Sequence, residues 1–107
     1  MNTIETEHVN AGRFAWFAAR DAKMRSAMNA SHFSDKQKIK AERVKLALEL
    51  VYSYQALTLD YTKRHIRVKV SKPIIKDRKN LRELERGWEL SGIVKVITAQ
   101  GIIYRVS

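Results

Sequence analysis

A chain of 107 residues with 45% apolar and 30% charged side chains is long enough for one compact core and too apolar for disorder. Its formal charge is +10 and it has no cysteine, which excludes disulfides, thiolate metal sites and a cysteine nucleophile. No apolar run approaches the ~18 residues that span a bilayer. The acidic, polar start MNTIETEHVN is unlike a secretory signal, so a cytoplasmic chain without membrane contact is expected.

Residues 1–9 read as a flexible N-terminus and 10–107 as a single domain. A first helix is predicted from about Ala11 to Met28, with Asn10 as its N-cap. Phe14, Phe17, Met24 and Met28 share one face, with Asp21 intruding. Trp16 lies among Arg13, Arg20 and Lys23 on another face. A ring in that setting can stack on a base or insert into a partner, or it can pack at home under arginine stems.

A turn over 29–33 leads to Ser34-Asp35-Lys36-Gln37, a capping-box pattern that opens a second helix running to about Leu59. Ile39, Leu46, Leu50 and Leu57 form a seam near heptad spacing, and Val44, Leu48, Val51, Tyr52 and Leu59 cover much of the rest. A helix this apolar is central to a small domain, or it is a seam between two copies.

From His65 to Val70 the period changes to two: Ile66, Val68 and Val70 alternate with His65, Arg67 and Lys69, a half-buried strand with a basic outer face. Pro73 ends it. A short helix follows from Asp77 or Asn80 to Arg86, with Leu81, Leu84 and Trp88 inward and Gly87 as the residue that stops it. Ile93–Thr98 and Ile102–Val106 read as two strands joined by Ala99-Gln100-Gly101. The expected class is α+β: two N-terminal helices, the second long and central, then a strand, a short helix and a C-terminal hairpin, in the order ααβαββ.

The charge is unevenly placed. Nine basic residues face seven acidic ones in the first 60 positions, and twelve face four from position 61 onward. Lys63, Arg64, Arg67, Lys69, Lys72, Lys76, Arg78, Lys79 and Arg82 crowd 22 positions opposed by Asp77 alone. Like charges repel in a compact chain, and a polyanion is the natural compensation. Arg67 and Lys69 would sit about 7 Å apart on one strand face, close to phosphate spacing. The same charges can also simply guard an edge strand against aggregation.

Residues 77–107 carry L-x-x-L-E-x-x-G-W, an apolar run, a glycine turn and I-Y-R-V. This string resembles the recognition helix and β-hairpin wing that end a winged helix-turn-helix DNA-binding domain. The resemblance covers under a third of the chain. It implies that Arg78, Lys79, Arg82 and Arg86 occupy exposed positions of the recognition helix and that Gln100 and Arg105 lie on the wing. The chain departs from the family upstream, where the strand and Pro73 stand in place of a helix and tight turn.

No phosphate loop, dinucleotide fingerprint or nucleophile elbow is present. His8, His32 and His65 are far apart and lack metal-ligand spacing. Asp77, Glu89 and Lys95 only loosely imitate a nuclease site. A non-enzymatic chain without cofactor or metal is therefore expected, binding nucleic acid, DNA more than RNA, through Lys63, Arg64, Arg67, Lys69, Lys72, Lys76, Arg78, Lys79, Arg82, Arg86 and Arg105. Trp16, Arg20 and Lys23 form a second candidate interface. The alternative is a phage- or plasmid-type accessory or inhibitory protein, of the anti-restriction or anti-CRISPR kind, that binds a host protein or nucleoprotein complex. The helical seam leaves room for a homodimer.

Overall fold

The computed structural model describes residues 20–53 and 57–106. The expectations for residues 1–19, among them Asn10, Phe14, Trp16 and Phe17, lie outside the described residues. A helix, α1, occupies 20–30. It is followed by α2 (Asp35–Val51), β1 (Leu57–Tyr61), β2 (Ile66–Val70), α3 (Arg78–Leu90), β3 (Val94–Thr98) and β4 (Gly101–Val106). The chain is α+β. Its four strands form one antiparallel sheet in the order β1-β2-β4-β3.

The capping box forms as the sequence predicted. Ser34 Oγ accepts from the Gln37 N–H at 3.2 Å, and Gln37 Oε1 accepts from the Ser34 N–H at 2.9 Å. The predicted end of this helix is corrected: it stops at Val51, not Leu59. The carbonyl of Val51 accepts from the Lys76 N–H, Tyr52 turns extended and bridges Ile75, and Ser53 N–H donates to Ile74. Leu57 and Leu59 then face the core from β1, a strand the helical reading absorbed. Two leucines two apart fit a strand face as well as one side of an apolar helix, and tertiary pairing with β2 decides between them.

Ala41, Val44 and Leu48 of α2 recur at helical spacing, and Val51 completes their face. They pack on Leu57, Ile66, Val68, Val70, Tyr104 and Val106, all from one face of the sheet. The other side of α2 is solvent-facing. Ile39, Leu46 and Leu50 are 52%, 57% and 77% exposed, and Leu57, the fourth residue of the predicted seam, is in the core.

Asp77 wins the competition to cap α3. Its carboxylate accepts from the Asn80 backbone N–H at 3.2 Å and from Asn80 Nδ2 at 2.7 Å. The expected stop at Gly87 is also corrected. The helix runs on to Leu90, Ser91 is the C-cap, and Gly92 (φ 80°) takes the left-handed position. The Ile93 N–H returns to the Trp88 carbonyl at 3.1 Å, closing a Schellman turn. The extra turn brings Trp88 edge-on to Tyr104, with ring centroids 5.7 Å apart.

Those two rings border a polar chain that runs from the core to the surface. The Tyr52 and Tyr104 hydroxyls are 3.2 Å apart. The Tyr104 O–H donates to Glu85 Oε1 at 2.9 Å, so Tyr52 donates to Tyr104. Lys95 Nζ donates to the same carboxylate oxygen at 2.7 Å. Burial, then the bonds to Tyr52 and Glu85, push the Tyr104 hydroxyl pKa far above its ordinary value, so it stays a donor across physiological pH. Tyr104→Phe leaves the buried Tyr52 hydroxyl without its acceptor. The expected loss is about 1–3 kcal/mol, measured by urea unfolding.

The β3–β4 turn is Ala99-Gln100, flanked by the pair Thr98 and Gly101. Gly101 holds φ +145°, and a Cβ there would run into the Val70 carbonyl. Gly101→Ala is therefore expected to lower stability by roughly 1–3 kcal/mol, read as a fall in thermal midpoint.

Candidate nucleic-acid interface

Alternation along the strands places Ile66, Val68 and Val70 of β2, with Tyr104 and Val106 of β4, under the helices, and so puts Arg67, Lys69, Ile103 and Arg105 on the opposite, helix-free face. Arg67 lies across from Asp60 on one side and Arg105 on the other. Its guanidinium donates to Asp60 Oδ2 at 2.6 Å, and Lys69 Nζ stands 3.3 Å from the same oxygen. The Nε atoms of Arg67 and Arg105 are buried with no hydrogen-bond partner among the described residues. Two like charges on adjacent strands are unfavourable, and Asp60 offsets one of them. Sequence reasoning missed Asp60, because its role appears only once β1 is read as a strand.

Burial raises the Asp60 pKa, but the Arg67 hydrogen bond and the Lys69 charge outweigh it and hold the carboxyl below its ordinary value. A depressed carboxylate adds stability above its unfolded pKa of 3.8, and that stability is lost as pH falls through the lower folded value. Asp60→Asn is expected to cost about 1 kcal/mol at neutral pH, with the difference from wild type closing only below the usual carboxylate range. Urea midpoints measured across pH check this.

The remaining nominated residues separate. Lys63 and Arg64 are exposed at the β1–β2 hairpin tip, held out by Thr62, whose hydroxyl accepts from the Arg64 and His65 N–H groups. Lys72 and Lys76 lie on the loop at the opposite end of β2, and the Lys76 backbone is tied to Val51. Arg20 is exposed at the start of the described helix. Lys23 shares a recess of about 550 Å³ with Asp60 and Lys69, so α1 contributes one cation near the sheet's rim. Trp16 lies outside the described residues.

Arg78, Lys79, Arg82 and Arg86 form a different surface. Leu81 and Leu84 face the core with Trp88, so helical spacing puts these four on the side of α3 turned away from it. All four are exposed and, with Glu83, line a shallow hollow of about 410 Å³. Among the described residues none of the four enters an ion pair. The stripe is about 12 Å long by helix rise. Glu85 on the same helix is turned inward to Lys95 and Tyr104.

Arg67, Lys69 and Arg105 thus lie on one face and Arg78, Lys79, Arg82 and Arg86 on another, with Lys63, Arg64, Lys72 and Lys76 on the loops at the two ends of β2. The helix-free sheet face is partly neutralised by Asp60, and the α3 stripe is unpaired among the described residues. A helix layer about 10 Å thick separates them, more than the Debye length of about 8 Å at physiological salt.

No family model, curated protein or solved structure matches this chain. Among the described residues no group of three or more histidine, aspartate or glutamate side chains could hold a metal ion, and no helix is long and apolar enough to cross a membrane.

Proposed function

We propose that this is a small, non-enzymatic protein that binds duplex DNA through the outer face of α3. One observation carries the reading: Arg78, Lys79, Arg82 and Arg86 lie within nine positions of one helix, exposed and unpaired among the described residues, whereas Arg67, Lys69 and Lys95 are committed to acidic partners. An unpaired cation releases condensed counterions when it meets a phosphate, which a neutralised one does much less. An α-helix fits the width of the major groove. Lys72 and Lys76, on the loop that feeds the N-terminus of α3, extend the footprint along the backbone. Duplex is favoured over single strands because the helix-free sheet face, with Thr58, Asp60, Arg67, Lys69, Val94, Val96, Ile103 and Arg105, offers no aromatic platform for stacked bases.

A second reading draws on a separate feature. The exposed Ile39, Leu46 and Leu50 lie along α2, and Ala47, Leu50, Leu84, Gly87 and Trp88 line a groove of about 380 Å³ between α2 and α3. An accessory or inhibitory protein that docks on a host protein or nucleoprotein complex would use this apolar strip. A single stoichiometric protein partner captured from nuclease-treated lysate, with no DNA affinity, would favour it.

The test of the first reading is a salt titration of duplex binding by fluorescence anisotropy. Reversing Arg78, Arg82 and Arg86 to Glu is expected to flatten the slope of log K against log salt by about 3, near one per lost phosphate contact. Lys69→Glu is expected to change the slope by less than about 1. Wild-type binding that does not vary with salt, or a triple variant with the parental slope, would overturn the proposal.

A further inference from the structure

The two edges of the sheet, β1 and β3, are finished differently. On β1, the Tyr61 N–H donates to Ser26 Oγ at 2.9 Å and the Tyr61 carbonyl accepts from Asn29 Nδ2 at 3.1 Å. Helix α1 thereby takes up backbone groups that would otherwise stand open. On β3, the described residues supply pairing from β4 alone.

The phase of the ladder identifies which groups are open. The Thr62 N–H donates to the His65 carbonyl at 2.9 Å, so Thr62 and His65 are a bonded pair and Tyr61 turns its backbone outward. Carrying that alternation through β2 and β4 makes Val94–Arg105 and Val96–Ile103 the bonded pairs of the last ladder. The two-residue turn, with Thr98 and Gly101 as its flanking bonded pair, requires the same phase. The N–H and C=O groups of Lys95 and Ile97 therefore point to the open edge.

Among the described residues, devices that blunt an edge are missing here. Proteins discourage edge pairing with lysines, prolines or bulges. The register of β3 runs without a bulge, and its one lysine is drawn inward to Glu85 at 2.7 Å. Val94 and Ile97 remain 46% and 76% exposed. The strand's one charge is offset by Glu85, on a chain of +10.

We infer that β3 pairs with β3 of a second copy, antiparallel about a two-fold axis through Val96, merging two four-stranded sheets into one. The strand is complementary to itself in this register and poorly so in its neighbours. Centring on Val96 sets Lys95 opposite Ile97 of the second copy, both with backbone groups facing the seam, and so forms two bonded pairs. Centring on Lys95 sets like charges opposite each other. Centring on Ile97 pushes Val94 opposite the turn residue Gln100 of the second copy. In the Val96 register the two Val96 side chains form a close, non-bonded pair on the helix-free face. Ile97 covers the stem of the second copy's lysine on the helix face. The helix-free faces of both copies become continuous, with the valines between two basic flanks.

This association and the proposed DNA contact respond oppositely to salt. Screening eases repulsion between two chains of +10 and tightens the pairing, whereas it weakens phosphate binding. The two ideas can therefore fail separately.

The experiment is sedimentation of the full chain up to about 100 µM, together with single-cysteine cross-linking, which the cysteine-free sequence makes clean. A non-bonded antiparallel pair has its Cα atoms about 4.5 Å apart, within disulfide range. Val96→Cys should give a disulfide-linked dimer under mild oxidant, at least about tenfold faster than Leu50→Cys on the exposed side of α2. Ile97→Lys, at a position exposed enough to leave the fold intact, should raise the dimer dissociation constant about tenfold or more. A wild-type chain that stays monomeric at high salt overturns the inference, even if the edge takes a strand from some other protein. So does a dimer in which Leu50→Cys links and Val96→Cys does not.

Discussion

The hydrogen bond between the buried hydroxyls of Tyr52 and Tyr104 organises this fold. Each tyrosine is at most 1% exposed, and a hydroxyl that deep must find a partner. Tyr52 lies where α2 ends, and Tyr104 is the midpoint of β4 in the sheet interior. Through Glu85 the chain of bonds continues to α3, and through Lys95 to the edge strand. Four elements meet at this one polar thread. α2 must stop in time to aim Tyr52 inward, and α3 must run past Gly87 to lay Trp88 on the Tyr104 ring.

The same arrangement governs the electrostatics. Both α2 and α3 pack on one side of the sheet, so a basic run that is continuous in sequence is cut in space. β2 turns Arg67 and Lys69 to the bare side, and α3 turns Arg78, Lys79, Arg82 and Arg86 to the far side of the helix layer. At that separation and at physiological ionic strength the two sets are largely screened from each other. Asp60 neutralises one set only, because it holds two of the sheet cations and none on the helix.

Edge protection follows the same economy of covering. α1 contributes little apolar burial among its described residues, with Met24 and Met28 53% and 70% exposed, yet Ser26 and Asn29 take up the Tyr61 N–H and C=O at one end of the β1 edge. Lys95, the residue placed to guard the β3 edge, is instead used to complete the tyrosine–glutamate chain. Satisfying a half-buried carboxylate and the buried Tyr104 hydroxyl outweighs a surface lysine's role in keeping an edge unattractive.

Much of this was legible in the residues. The capping box at Ser34, the period-two run from Ile66 to Val70, the inward set Leu81, Leu84 and Trp88, the glycine-bearing hairpin and the α+β class are local patterns. Periodicity and cap chemistry act within a few residues, so sequence alone determines them. The end of α2, the reach of α3 to a turn at Gly92, the existence of β1 and the pairing of Asp60 with Arg67 and Lys69 were decided only in the folded chain. In each case the deciding partner is distant in sequence or hidden behind an equally good local alternative: Lys76 for Val51, Tyr104 for Trp88, β2 for Leu57 and Leu59. The total charge was likewise written in the composition. Its division between two faces was not, because which side of a sheet the helices cover is a property of packing.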